Sequence, residues 1–256
     1  MSYKSAHKTI VPAVSVILAV LSAGCSDGQT DGVRYATLYD VVEYAGQAES
    51  GTDFRLFAPD ADEAVDLCSS SPVNTGELKE GECLLLAYVP RNGEAYTSGT
   101  VDVTGVGVVS NDRLLKGKPE TLDGWDTDPV WVSSLWRAGG KIVMRIKLVY
   151  DPEPRVFRLV VDETTMADEY PEAYLVNMRH GDAENFMRQY YVAFDVHAMW
   201  TYPTCKGLRI HINNSNDTSL KEFVIEKPAS YTWGGGEEIP DGSDAAGDKQ
   251  SEKNNQ

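Results

Sequence analysis

Few side chains in this chain are able to do chemistry, and their spacing narrows what each can do. Arg179-His180-Gly181-Asp182 sets an imidazole beside a carboxylate, a pair that can move a proton near neutral pH, although a histidine at a strand end commonly just bonds the following turn. Past the first 25 residues the other histidines are His197 and His211. No H-E-x-x-H run occurs and no Cys/His pair has zinc spacing, so no metal site is expected. Asp123-Gly-Trp-Asp126-Thr-Asp128 gathers three carboxylates of the kind calcium favours. It lacks the glycine and the terminal glutamate of an EF-hand, so a solvated acidic linker is the expectation. No G-x-S-x-G, phosphate loop or dinucleotide fingerprint is present. No catalytic residue and no cofactor are therefore assigned.

Cysteine and tryptophan remain. Cys68 and Cys83 are candidates for a disulfide, which in an oxidising compartment would add about 3 kcal/mol by closing the short loop between them. Cys83 lies in an apolar run and reads equally well as a small buried hydrophobe. Cys205 is left over. Of five tryptophans, Trp131 and Trp136 are candidates for stacking a glycan, against the alternative that they fill a core or a seam between modules. Five residues apart in one regular strand, they would face opposite ways.

Cys25 carries a different chemistry. Lys4, His7 and Lys8 precede an apolar run from Ile10 to Leu21, then Ser22-Ala23-Gly24-Cys25. Twelve apolar residues fall short of the roughly 20 that span a bilayer, and a basic start with small residues after the run reads as a secretory signal. The end of the run is similar to a bacterial lipobox, with Ser22 where leucine is usual and Leu21 one place earlier. Cleavage between Gly24 and Cys25 and acylation (palmitate among the chains) of the Cys25 thiol are expected, and an anchor of more than one acyl chain is effectively permanent. The expected organisation is a signal over 1–24, a small acidic tether over 25–32, and a folded part that begins at residue 33. Asp27, just after the lipidated residue, fits an outer-membrane address, slightly favouring the outer face over the periplasmic one.

The elements that position these residues read as strands. Helical periodicity is scarce, and period-two runs recur, as in Glu82–Pro90, Tyr96–Val109, Lys141–Tyr150, Val156–Asp162 and Arg188–Val196. In Lys141–Tyr150, Ile142, Met144, Ile146 and Leu148 share one side, while Val143, Arg145 and Lys147 share the other, the pattern of a half-solvated antiparallel strand. Asn92-Gly93 signals a hairpin. The chain divides near Asp112–Pro129. The fold class expected is all-β: an OB-like barrel over 33–115, a linker over 116–129, and a β-sandwich over 130–233. The stretch 234–256 is polar and acidic with a single isoleucine, and is expected to be a disordered tail.

In pattern and order the chain resembles the NigD-like lipoproteins. The likeness rests on Asp128-Pro-Val-Trp-Val-Ser-Ser-Leu-Trp136, Lys141–Tyr150, Tyr174-Leu-Val-Asn-Met-Arg-His180-Gly-Asp182, Gln189–Val196 and, in the first half, Gly81-Glu-Cys-Leu-Leu-Leu-Ala-Tyr88. The resemblance implies a two-domain envelope protein with an OB-type domain before a β-sandwich. The family's name implies a bacteriocin-accessory or immunity-like association and no established activity.

The net charge of −16 argues against nucleic acid and against docking on anionic lipid by charge. The expectation is a lipid-anchored, non-enzymatic binding or accessory protein of the outer membrane with a protein or glycan partner. A glycan-processing enzyme with paired carboxylates is the alternative.

Overall fold

The computed structural model describes residues 36–118, 128–151, 155–178, 186–229, 231 and 238–242. They are almost wholly β-structure, as expected. β1 (Leu38–Gln47), β2 (Thr52–Phe57), β3 (Ala64–Ser69), β4 (Cys83–Pro90) and β5 (Gly99–Val108) close a barrel in the order β1-β2-β3-β5-β4. β1 serves two partners. Its first half pairs with β4 and its second with β2, and the register shifts between Tyr44 and Gly46. Such an irregularity bends a strand, and Gly46 takes the φ of +127° that a side chain rarely adopts. Val42, Phe54, Leu56, Leu84, Leu86 and Tyr88 fill the interior, each worth roughly 1.5–3 kcal/mol on burial. The Asn92-Gly93 turn lies in the connection that returns β4 to β5 as an antiparallel pair.

The second module is one eight-stranded sheet that folds over its own core. Its strands are β6 (Ser110–Gly117), β7 (Trp131–Ala138), β8 (Lys141–Val149), β9 (Val156–Asp162), β10 (Glu172–Met178), β11 (Met187–Asp195), β12 (Gly207–His211) and β13 (Glu222–Glu226). Their order is β13-β12-β10-β9-β6-β11-β8-β7. A bridge between Val130 and Asn214 brings the two ends of the sheet together. Ile142, Met144, Ile146 and Leu148 all point into this core, as the alternation in β8 predicted. A short helix, α1 (His197–Trp200), plugs one end with Trp200 fully buried. No described helix is long and apolar enough to cross a membrane.

Two features depart from the sequence reading. Ser110–Gly117, assigned from sequence partly to the barrel and partly to a linker, runs in the second sheet between β11 and β9. Leu114 and Leu115 are adjacent and both buried, so the strand is covered on both faces and shows no alternation. The stretch assigned to a disordered tail contains residues 238–242, which dock on β6. Lys116 N–H donates to the Pro240 carbonyl at 2.8 Å, Gly242 N–H donates to the Lys116 carbonyl at 2.7 Å, and Ile239 is buried in the second core. One isoleucine offers too little periodic signal to reveal such an anchor.

Candidate functional site

The barrel and the second sheet meet over Val41, Cys83 and Val109 on one side and Ala138, Val143 and Ala193 on the other. Beside this seam opens a cleft of about 580 Å³, lined in part by Lys79, Glu82, Asp112, Arg113, Lys141 and Asp195. Lys141 begins β8, and Asp195 lies opposite it at the end of β11. The Lys141 ammonium is buried, 3.5 Å from Glu43 of β1 and 4.0 Å from Asp195. His197 turns its Nδ1 to Asp195 Oδ1 at 2.7 Å, and its backbone N–H donates to the same oxygen at 3.0 Å. The ring lies against Gly140, where a Cβ would stand 1.9 Å from it. Burial pulls the Asp195 pKa up, but the hydrogen bond from His197 and the nearby Lys141 charge outweigh it and hold the carboxyl below its usual range. Cys83 lies near Lys141, yet burial pushes its thiol up to about 12, so it is no nucleophile at neutral pH. These groups neutralise one another across the seam. The arrangement joins two modules and holds no activated nucleophile among its described members.

A second surface is open among the described residues. β7 and β8 pair Trp131 with Lys147, Ser134 with Arg145 and Trp136 with Val143, with a register shift between Val132 and Ser134. The extra residue, Ser133, reverses the parity of the strand. Trp131 and Trp136 therefore share the outer face, against the expectation that they point opposite ways. Trp136 packs into the seam, while Trp131 is 42% exposed. Across β8 the next outward row adds Gln189 beside Lys147 and Tyr191 beside Arg145 on β11. Val149 and Met187 complete the face and are exposed. Strand alternation had placed Arg145 and Lys147 outward. Their meeting with Trp131 needed the bulge, which no local pattern announces.

Cys68 and Cys83 are both free thiols. Cys68 pairs across from Thr100 at one end of β5, while Leu84, next to Cys83, pairs with Val108 at the other. Eight residues of strand make on the order of 27 Å at about 3.4 Å each, whereas a disulfide needs Cα atoms within about 7 Å. The pairing considered from sequence is therefore not made, because both cysteines follow a β5 that runs between them. Cys205 is buried. His211 bonds Glu172 and stacks on Tyr174 at 4.8 Å between ring centroids. Asp128 lies 3.8 Å from the Arg155 guanidinium. Gly24, Cys25, Asp123, Asp126, His180, Asp182, Trp125 and Trp233 lie outside the described residues. Among the described residues no group of His, Cys, Asp and Glu is arranged to hold a metal.

A closed five-stranded barrel fused to a folded-over eight-stranded sheet defines a two-module, all-β class of protein. No protein-family model and no curated protein matches the chain. Solved structures do. A protein of unknown function from Bacteroides vulgatus matches with a TM-score of 0.59 at 17% identity, covering 82% of this chain and 99% of its own. A putative lipoprotein from Bacteroides fragilis matches with a TM-score of 0.54 at 14% identity, covering 76% and 100%. A NigD-like immunity protein from Bacteroides caccae, of the family the residues resemble, also aligns, with a TM-score of 0.49 at 18% identity over 77% of this chain and 95% of its own. The first two are covered almost end to end, so what is shared is the two-module fold as a whole.

Proposed function

We propose that this chain is a cell-envelope binding or accessory protein, secreted and held at the outer membrane by acylation of Cys25, and that it works through the open face of its second sheet. The observation that carries the reading is the row Trp131–Lys147–Gln189 with Arg145 beside it: an exposed indole and two cations on a rigid sheet face of an otherwise acidic chain. Such a face recognises a partner without chemistry of its own, and the barrel and the seam clamp hold it in place. An anchor at Cys25 would suit this role, since a fixed tether raises the local concentration of a binding face at the membrane. The partner is a protein, as an immunity-like role would require, or a glycan. Two carboxylates of the cleft, Asp112 and Asp195, speak for binding over glycan hydrolysis. Asp112 pairs with Arg158, and Asp195 is held below its usual range, whereas a glycosidase's general acid is held above it.

The test is labelled-palmitate incorporation and membrane fractionation of the full chain in a Gram-negative host. Label that appears in the wild type and disappears in Cys25→Ala, with the protein in the outer-membrane fraction, supports the reading. An unlabelled, freely released wild type refutes it.

A further inference from the structure

We infer that the Trp131 face binds an acidic glycan, a sugar ring stacking on the indole while its carboxylate or sulfate is held by Arg145 and Lys147. This rests on the binding role proposed above and names the ligand class of that site.

Four observations converge. First, Lys147 stands at the centre, with Trp131 on one neighbouring strand and Gln189 on the other, and Arg145 two residues along its own strand. Directly paired positions on adjacent strands place Cβ atoms about 4.5–5.5 Å apart, so the ring, the two cations and the amide act on one small ligand together. Second, no ion pair compensates this charge among the described residues. The outward positions from Arg145 to Val149 on β8, with their partners on β7 and β11, hold no Asp or Glu. Several other cations do have a carboxylate partner: Lys141 has Glu43, Arg158 has Asp112 and Lys206 has Glu169. In a chain of net charge −16, two adjacent cations that face outward without a carboxylate in their rows select an anion. Third, the donors fit. A guanidinium fork grips a carboxylate or sulfate with two bonds, the ammonium adds a point charge, and a primary amide can both donate to and accept from ring hydroxyls. Fourth, the cluster itself is the size of a sugar ligand. The face between Arg145 and Val149 and across three strands covers on the order of 150 Å². A stable protein interface buries about 800 Å² on each partner. At one end the sheet is closed by the barrel through Trp136 and Val143. Val149 and Met187 form an apolar rim at the other.

The experiment is calorimetric titration of the full chain in mild detergent. The probes are polygalacturonate, alginate and chondroitin sulfate, with methyl-esterified polygalacturonate, dextran and poly-glutamate as controls. The expected result is binding of at least one acidic glycan, at least ten-fold weaker for the esterified or neutral control and weaker at high salt. Trp131→Ala and the double variant Arg145→Gln/Lys147→Gln should each lose at least ten-fold while melting as the wild type does. Absence of binding to all three acidic glycans, or binding indifferent to Trp131, overturns the inference. Equal binding of esterified and acidic forms overturns the anionic selection and leaves the binding role standing. Poly-glutamate bound through the same residues overturns the glycan and assigns the face to an acidic protein. Failure of the anchor reading shows separately, in the palmitate label.

Discussion

The guanidinium of Arg137, at the end of β7, lies 2.7 Å from the Asp62 carboxylate in the turn between β2 and β3, with its side chain almost fully buried. The same guanidinium donates to the Ala61 carbonyl at 2.9 Å, and the Asp60 N–H donates to the Arg137 carbonyl at 3.0 Å. One residue of the second sheet therefore holds a whole turn of the barrel. Arg137→Met should cost about 2–3 kcal/mol, because it leaves turn carbonyls and a carboxylate without their donor. Denaturant unfolding followed by tryptophan fluorescence measures it. A loss under about 0.5 kcal/mol, the range of ordinary surface substitutions, would sink the clamp.

Gly140 is a matter of space. A Cβ there would meet the His197 ring at 1.9 Å, so Gly140→Ala must push the imidazole off Asp195. The expected cost is about 1–3 kcal/mol. In the double variant Gly140→Ala/His197→Ala the clash is gone, and the two losses should fall short of additive. A strictly additive cycle would count against the contact.

Asp40 gives a pH dependence. It faces the barrel interior, where the Tyr88 hydroxyl donates to it at 3.0 Å and the Tyr96 hydroxyl at 3.4 Å. Burial raises its pKa, and the two tyrosine hydrogen bonds only partly oppose this. A raised folded-state value means the contribution is fully present below the unfolded pKa and is lost as pH rises through the folded one. Asp40→Asn removes that dependence. Its stability relative to the wild type should rise from pH 4 towards neutrality, read as the gap in melting temperature at several pH values. A gap that is constant, or that shrinks with rising pH, would contradict the assignment.

Ile239 anchors residues 238–242 on β6. Ile239→Ala should cost about 2 kcal/mol or more, as for other buried aliphatics, and a chain ending at residue 237 should melt lower still. Unchanged melting in both would mean that the docked segment adds nothing to the core.

The thiols should behave differently from one another. All three thiols are raised, Cys68 chiefly by its hydrogen bond with Asp53 and the other two by burial, so access decides: Cys68 is partly exposed, whereas Cys83 and Cys205 are buried. Iodoacetamide should label Cys68 in the native protein and the other two only after unfolding, as intact-mass spectrometry would show. A Cys68–Cys83 cross-link in the oxidised protein would refute the strand arrangement around β5.

What the sequence determined by itself was local. Period-two runs located most strands, and the alternation in Lys141–Tyr150 correctly divided Ile142, Met144, Ile146 and Leu148 from Arg145 and Lys147. That works because side-chain direction in a strand follows from the neighbouring residue alone. Tertiary structure decided the rest. Which sheet Ser110–Gly117 joins depends on hydrogen bonds to β9 and β11, tens of residues away. The single extra residue at Ser133 turned Trp131 onto the face of Lys147, since a shift of one reverses every side chain beyond it. Cys68 and Cys83, near in sequence, were carried apart by β5, and Ile239, alone in a polar stretch, found a core built from strands far from it in the chain. Partners of this kind are chosen by long-range packing and register, and nothing in a short window of residues encodes them.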